Sequence, residues 1–338
     1  MVLTIYILLV SLLLEVNHQP VWNTYRLTGY AQGTTYTITY YAKDSMVTRG
    51  MIENTLARID SSLSIYKPYS QINRFNASSS GIEVDTFFQA VVKKSLDVFR
   101  ETGGAFDLTV YPLVQAWGFG ASEAAKVPDS SVIRSLMPCV GTGKIKLNKT
   151  YLQKDNPCVR IDVNGIAQGY TVDLIAQLLE RNGMNDYMVE LGGEIRVKGC
   201  KQPSKELMTI GIEGPSTNEF TDEPLQKRIR IVEGAITTSG NYRKFFERGP
   251  KRITHLIDPA TGFPVQNELI SVTVFAKDAI TADGYDNALM VMGLQKSLTF
   301  LNNHRDIEAY FIYHKSDGSI ADTATKGFYK FVVGSKLN

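Results

Sequence analysis

With 338 residues, 36 Lys and Arg against 34 Asp and Glu, and a formal net charge of +2, the chain offers no basic run or patch of the kind that nucleic-acid binding requires. At 43% hydrophobic and 21% charged it is ordinary globular material, long enough for two domains or one large two-lobed one. No internal repeat or low-complexity tract interrupts it.

Residues 2–14 are almost wholly apolar, are closed by Glu15 and are preceded by no Lys or Arg. That is shorter than the roughly 20 residues of a membrane-spanning helix and fits the core of an export signal or a buried N-terminal segment. Residues 1–20 are therefore set apart as an export signal or membrane anchor, and residues 21–338 are taken as the folded part. Thr, Tyr and Ile over residues 34–41 predict a strand. Met51, Ile52, Leu56, Ile59 and Leu63 form a helical stripe over residues 47–63. Asp85 or Thr86 is a suitable N-cap for a second helix, with Phe87, Phe88, Val91, Val92, Leu96 and Phe99 as its apolar face and Gly103-Gly104 as its stop. A third helix is expected over residues 171–182. Strands are expected at 207–212, 229–232, 270–275, 309–314 and 328–333, with a helical region over 280–301 interrupted near Gly293.

Helices and strands mix without a βαβ rhythm, so the expected fold class is α+β with mainly antiparallel sheets and flanking helices. No GxGxxG follows a strand and no GxxxxGK[ST] occurs. The fragment Gly141-Thr142-Gly143-Lys144 reads as a hairpin turn. Cys139, Cys158 and Cys200 contain no CxxC. Either Cys139 and Cys158 face each other across a hairpin around residues 146–151, or all three are inert thiols.

Six dissimilar glycine-bearing polar segments stand out, at 103–107, 162–170, 191–194, 237–242, 255–262 and 282–288. Glycine permits left-handed turns and close backbone approach to a ligand. Asp283 and Asn287, four apart, share a helix face, and their oxygens can bind a hard cation such as Mg²⁺, unless Asp283 simply caps the helix. His255, alone among His18, His255, His304 and His314, adjoins a dense polar loop, as a proton acceptor or as a structural histidine.

In order and spacing these segments resemble the FAD:protein FMN transferase (ApbE) family. The resemblance runs from Gly33-Thr34-Thr35-Tyr36 through Leu63-Ser64-Ile65-Tyr66, Ala105-Phe106-Asp107-Leu108-Thr109-Val110, Trp117-Gly118-Phe119-Gly120 and the 162–173 run. It continues through Thr238-Ser239-Gly240 and the 255–262 loop to the Asp283 helix. It implies a two-lobed α+β fold with FAD in a cleft between intertwined lobes. It implies FAD contacts at Gln32, Tyr66, Ala105, Phe106, Asp107, Asp162, Gln168, Thr238, Ser239 and Ile257. Mg²⁺ would be held by the Gly165 carbonyl, Asp283 and Asn287, with His255 as the base for an incoming hydroxyl. The implied partner is an acceptor protein with a Thr/Ser flavinylation motif, commonly a membrane electron-transfer subunit, in the periplasm or at the periplasmic face of the inner membrane. FAD pyrophosphatase activity and non-catalytic FAD binding are the alternatives. Family members usually carry Thr where Asn287 stands, Lys or an acid at Gln168, and often Met at Gln32. Many also carry a lipid-attachment cysteine, whereas no cysteine here precedes Cys139.

Overall fold

The computed structural model describes residues 21–120, 127–214, 225–241, 245–248 and 251–334. The apolar segment at residues 1–20 lies outside them. Among the described residues no helix is long and apolar enough to cross a membrane.

Alternating aromatic and β-branched residues open the fold. β1 (Asn23–Ala31) and β2 (Thr34–Ala42) form an antiparallel hairpin, and β2 turns Tyr36, Ile38 and Tyr40 inward. The hairpin tip is Gln32-Gly33, with φ of 51° and 79°. A two-residue tip of this hand needs positive φ at both positions, which the twist of the flanking strands favours. α1 (Arg49–Leu63) starts where the Thr48 side chain accepts the Met51 N–H, and it buries Ile52, Leu56, Ile59 and Leu63. α2 (Gln71–Ala77) is capped by Ser70, and β3 (Gly81–Glu83) follows. α3 (Thr86–Glu101) is capped by Asp85 and buries Phe88, Val91, Val92, Ser95 and Val98. The expected stripe is thus rotated, because a 3.6-residue period carries Ser95 and Val98 inward and leaves Phe87, Leu96 and Phe99 at its margins.

After α4 (Tyr111–Trp117) and α5 (Ser130–Leu136), the strands β4 (Ile145–Asn148) and β5 (Tyr151–Lys154) pair as a hairpin. Cys139 and Cys158 form a disulfide that brackets this hairpin, and Cys200 is free. Residues 142–144 are a 3₁₀ turn leading into β4 rather than the hairpin's own turn.

α6 (Ala167–Arg181) begins four residues before the expected start, so Gln168 and Gly169 are helical. Then come β6 (Asp186–Leu191), β7 (Glu194–Lys198), β8 (Met208–Glu213), β9 (Leu225–Ile231), β10 (Glu233–Gly240), β11 (Phe245–Arg248) and β12 (Lys251–Thr254). β13 (Leu269–Ala276) leads into α7 (Ala279–Met292) and α8 (Leu294–Leu301), separated by Gly293, and β14 (Glu308–His314) and β15 (Ile320–Ala324) end the strands. The expected strand at 328–333 is instead a 3₁₀ turn over Phe328–Lys330, followed by a single antiparallel bridge from Val332 to Ile229 of β9. Phe328 stacks on Tyr310, and Phe331 packs at a tilt against Phe275. Two rings three residues apart reach one surface from a turn, whereas a strand would send them to opposite faces.

An eight-stranded sheet, in the order β1-β2-β6-β7-β10-β13-β14-β15 with every pair antiparallel, is the frame. β13 and β14 are covered on both faces. Val272, Val274, Ala309 and Phe311 enter the core under the helices, while Ile270, Tyr310 and Ile312 pack with the β8–β9 hairpin and Phe328.

α6 and α7 cross on the helical face and exchange carboxylates. Asp173 of α6 accepts the Ala279 and Ile280 amides that open α7, each at 2.9 Å, and pairs with Arg196 at 2.7 Å. Asp283 of α7 accepts the Gly169 amide of α6 at 2.8 Å. The crossing is close enough that a Cβ on Gly169 would lie 2.3 Å from the Ala279 carbonyl oxygen and 2.7 Å from the Asp283 Cβ. Gly169→Ala is therefore expected to destabilise the protein by about 3 kcal/mol or more, since backbone must move to admit the methyl group. Urea denaturation checks this, and an unshifted midpoint would mean that the helices do not meet there.

Candidate active site

Beside this crossing, side chains from distant parts of the chain surround a cavity of about 360 Å³, within the range of small-molecule sites. Gln32 borders it from the β1–β2 tip, and Tyr66 from the loop after α1. Ala105, Phe106 and Asp107 border it from the segment after α3. Asp162, Gly165 and Gln168 come from the approach to α6, Thr238 and Ser239 from the end of β10, His255 and Ile257 from the loop after β12, and Asp283 and Asn287 from α7. The cavity wall brings together every residue that the sequence suggested for FAD contact, metal binding or catalysis.

Local chemistry explains each placement. The Gln32 side chain donates to the Thr171 hydroxyl at 2.8 Å, holding the β1–β2 tip over the start of α6. A second two-residue tip, Gly192-Gly193 between β6 and β7, has φ of 64° and 109° and brings Glu194 to the wall. There Gly192 is favoured, because a Cβ on it would lie 2.7 Å from the Thr34 methyl group at a φ of 64°. The 255–259 stretch is anchored from behind, with Ile257 packed among Leu113, Trp117 and Ile133, and the Trp117 ring N–H donating to the Gly262 carbonyl at 2.8 Å. His255 meets Phe119 edge to face at 6.2 Å between ring centres. Strand alternation aims Thr237 and Ser239 at α7, where Ser239 Oγ donates to Asn287 Oδ1 at 3.3 Å. The Thr238 hydroxyl is paired with Thr273 across the strands at 2.9 Å.

Asp107 has a structural task. Its Oδ1 accepts the Thr109 amide at 2.7 Å and the Thr142 hydroxyl at 2.7 Å, and its Oδ2 accepts the Thr142 amide at 2.9 Å. It braces the residues 105–107 against the 3₁₀ turn before β4. Tyr66 is more than half exposed, and its hydroxyl lies 3.5 Å from the Asn164 side-chain nitrogen.

Asp283 does not cap its helix. Asp278 does, by accepting the Thr281 amide at 3.0 Å, and Asp283 lies one turn further in. It is 3% exposed, Asp286 beside it is 1% exposed, and among the described residues neither has an ion pair. Burial pushes Asp283 up to about 7, with Asp173 adding to the rise and the Gly169 amide opposing it. Asp286 is raised well above the ordinary carboxylate range by burial and then by Asp283. Asp162 is pushed up to about 6 by burial, against the Asn164 amide.

The Gly165 carbonyl, the Asp283 carboxylate and the Asn287 carboxamide converge, with Asn287 Nδ2 3.3 Å from Gly165 O and 3.4 Å from Asp283 Oδ1. Among the described residues no group of three His, Cys, Asp or Glu side chains could hold a metal. The residues present fit a different kind of cation: hard oxygen donors, few in number, beside two buried acids that gain from a positive charge. Mg²⁺ binds in this way and leaves its remaining positions to water or phosphate.

Asp60, Phe119, Asn164, Glu194 and Asp286 also line the cavity and were not singled out as site residues. Asp286 was legible in principle, because acids three apart on a helix share a face with Asp283. Asp60, near the end of α1, carries no signal that separates it from a solvated helix position.

The chain matches the model of the ApbE family over residues 32–311. It is 35% identical over 331 residues to the FAD:protein FMN transferase of Vibrio cholerae serotype O1, covering 96% of this chain and 97% of that protein. The flavin transferase ApbE structure from Vibrio cholerae aligns with a TM-score of 0.82 at 33% identity, over 92% of this chain and 100% of that one. The apo flavinyl transferase ApbE of Pseudomonas stutzeri aligns with a TM-score of 0.83 at 32% identity, over 94% and 98%.

The raised acid gives a signed pH dependence for the metal-free protein. Below about 3.8 Asp283 is protonated both folded and unfolded, whereas between there and about 7 the unfolded chain releases a proton that the folded chain keeps. Stability therefore falls as pH rises across that window, by about 1.4 kcal/mol per pH unit for one proton, and levels off above it. Urea midpoints from pH 5 to 8 in chelator should fall more steeply for wild type than for Asp283→Asn. Parallel slopes would remove the buried-acid reading.

Proposed function

This chain belongs to the ApbE family of FAD:protein FMN transferases, and from that premise we propose that it transfers FMN from FAD to a Thr or Ser hydroxyl of an acceptor protein in a Mg²⁺-dependent reaction. The observation that carries this reading is the meeting of the Gly165 carbonyl, Asp283 and Asn287 at one point of a cavity that also contains His255.

FAD would lie along the cavity, with its contacts drawn from Gln32, Tyr66, residues 105–107, Asp162, Gln168, Thr238, Ser239 and Ile257. Gly165, Asp283 and Asn287 would hold Mg²⁺, which when bound offsets negative charge on the diphosphate. Breaking the diphosphate requires an attacking oxygen without its proton. His255, at the cavity wall and oriented by Phe119, is the acceptor for that proton. The acceptor hydroxyl oxygen bonds to the FMN phosphorus, the bond from that phosphorus to the AMP phosphate breaks, and AMP leaves. Water in place of the hydroxyl would give FMN and AMP. The partner is an acceptor protein with a Thr/Ser motif, most simply a membrane electron-transfer subunit met on the periplasmic side.

Two substitutions test the assignment, with intact-mass spectrometry of the acceptor for the covalent FMN adduct. Asp283→Ala is expected to lower transfer by at least about 100-fold while FAD still binds. Full transfer by that variant would overturn the role of the carboxylate. His255→Ala is expected to slow transfer to the acceptor by about 100-fold or more, and to slow FAD hydrolysis less, because water needs no base of fixed position. Equal loss of both activities would remove its role as base.

A further inference from the structure

Asn287 stands where the oxygens of the site converge, and its carboxamide is held in one orientation. Nδ2 faces Asp286 Oδ1 at 2.8 Å, the Asp283 backbone oxygen at 3.0 Å, Gly165 O at 3.3 Å and Asp283 Oδ1 at 3.4 Å. Oδ1 faces the Ser239 hydroxyl at 3.3 Å. The surroundings favour this orientation, because the reverse one would set Oδ1 against the Gly165 and Asp283 backbone carbonyls, which can only accept. The N–H₂ group thus places partial positive charge where the two other candidate cation ligands, Gly165 O and Asp283 Oδ1, meet.

We infer that the Asn287 carboxamide is an internal occupant of the cation hollow, and that a divalent cation enters only when the carboxamide turns about its Cβ–Cγ bond. The inference rests on the metal-dependent reading proposed above and deepens it. The turn brings Oδ1 into the hollow as a ligand and passes Nδ2 to Ser239. Ser239 is suited to both states, since a hydroxyl donates to Oδ1 in one and accepts from Nδ2 in the other. Entry of the cation therefore gives up the hydrogen bonds of Nδ2 to Asp286, Gly165 and Asp283. A hydroxyl side chain at 287 has no N–H₂ group to fill the hollow, and metal binding would not compete with it. Asn287 in this way sets the cation affinity of this chain, as a positioning residue as well as a ligand.

The test is calorimetric titration of the full chain with Mg²⁺ alone, without FAD. Asn287→Thr and Asn287→Ser are expected to bind Mg²⁺ about tenfold more tightly than wild type, the equivalent of roughly one net hydrogen bond no longer displaced. Equal or weaker affinity in both variants, with thermal midpoints matching wild type, overturns the inference. A second measurement needs no variant. The assigned Asn287 side-chain N–H₂ pair in ¹⁵N–¹H spectra should shift on Mg²⁺ saturation, and a pair unmoved while Mg²⁺ binds overturns it. FMN transfer undiminished by chelation would sink the metal-dependent reading itself. Metal-dependent transfer with an unmoved Asn287 resonance would sink the internal occupant alone.

Discussion

The exchange of carboxylates between α6 and α7 is the constraint on which the rest of the site depends. Asp173 satisfies the amides that open α7, and Asp283 satisfies an amide in the first turn of α6. Each helix thus supplies the anion that the other's N-terminal backbone favours. Gly169 lets the two backbones approach at that point, and Arg196 from β7 ties Asp173 to the sheet. The arrangement places Gly165, in the turn before α6, opposite Asn287 on α7.

The same exchange leaves α7 carrying two adjacent buried acids, both held toward the protonated form. Asp283 has one backbone amide donor and the Asn287 side-chain amide, and Asp286 feels the charge of both Asp283 and Glu194. A core built for stability alone would not bury Asp283 and Asp286 side by side, because each resists ionisation when withdrawn from water. Local cost of this kind concentrates at functional sites, where a bound charge offsets it. Gln32 is a second instance, a side-chain-bearing residue held at positive φ so that the β1–β2 tip reaches α6. The eight-stranded sheet tolerates such strain because β13 and β14 are packed on both faces, and the Cys139–Cys158 disulfide closes the excursion around β4 and β5.

Much of this was legible in the order of the residues. The stripe of α1, the cap at Asp85, the break at Gly293 and the alternating strands β2, β13 and β14 follow from periodicity and local capping, which act over a few neighbouring residues. The antiparallel α+β class followed from the absence of a βαβ rhythm. Segments rich in glycine and polar residues pointed to the cavity wall, because left-handed turns and close backbone approach demand particular residue types wherever they occur. Family resemblance then named individual residues at that wall.

Other features were decided only when the chain closed on itself. Residues 328–333 read as a strand, yet with Phe328 against Tyr310 and Phe331 against Phe275 only Val332 bridges β9, and residues 328–330 form a 3₁₀ corner. From spacing alone Asp283 read first as a cap and only then as a ligand, and Asp278 and Gly169 settled where its carboxylate points. The brace role of Asp107 depends on Thr142, 35 residues away. The orientation of the Asn287 carboxamide depends on Gly165, Asp286 and Ser239 together. Sequence by itself determined the elements and the residue types at the site, because propensity and periodicity are local. Tertiary structure decided which polar atoms share a dry space, and therefore which of them carry charge, because burial and long-range hydrogen bonds belong to the folded chain alone.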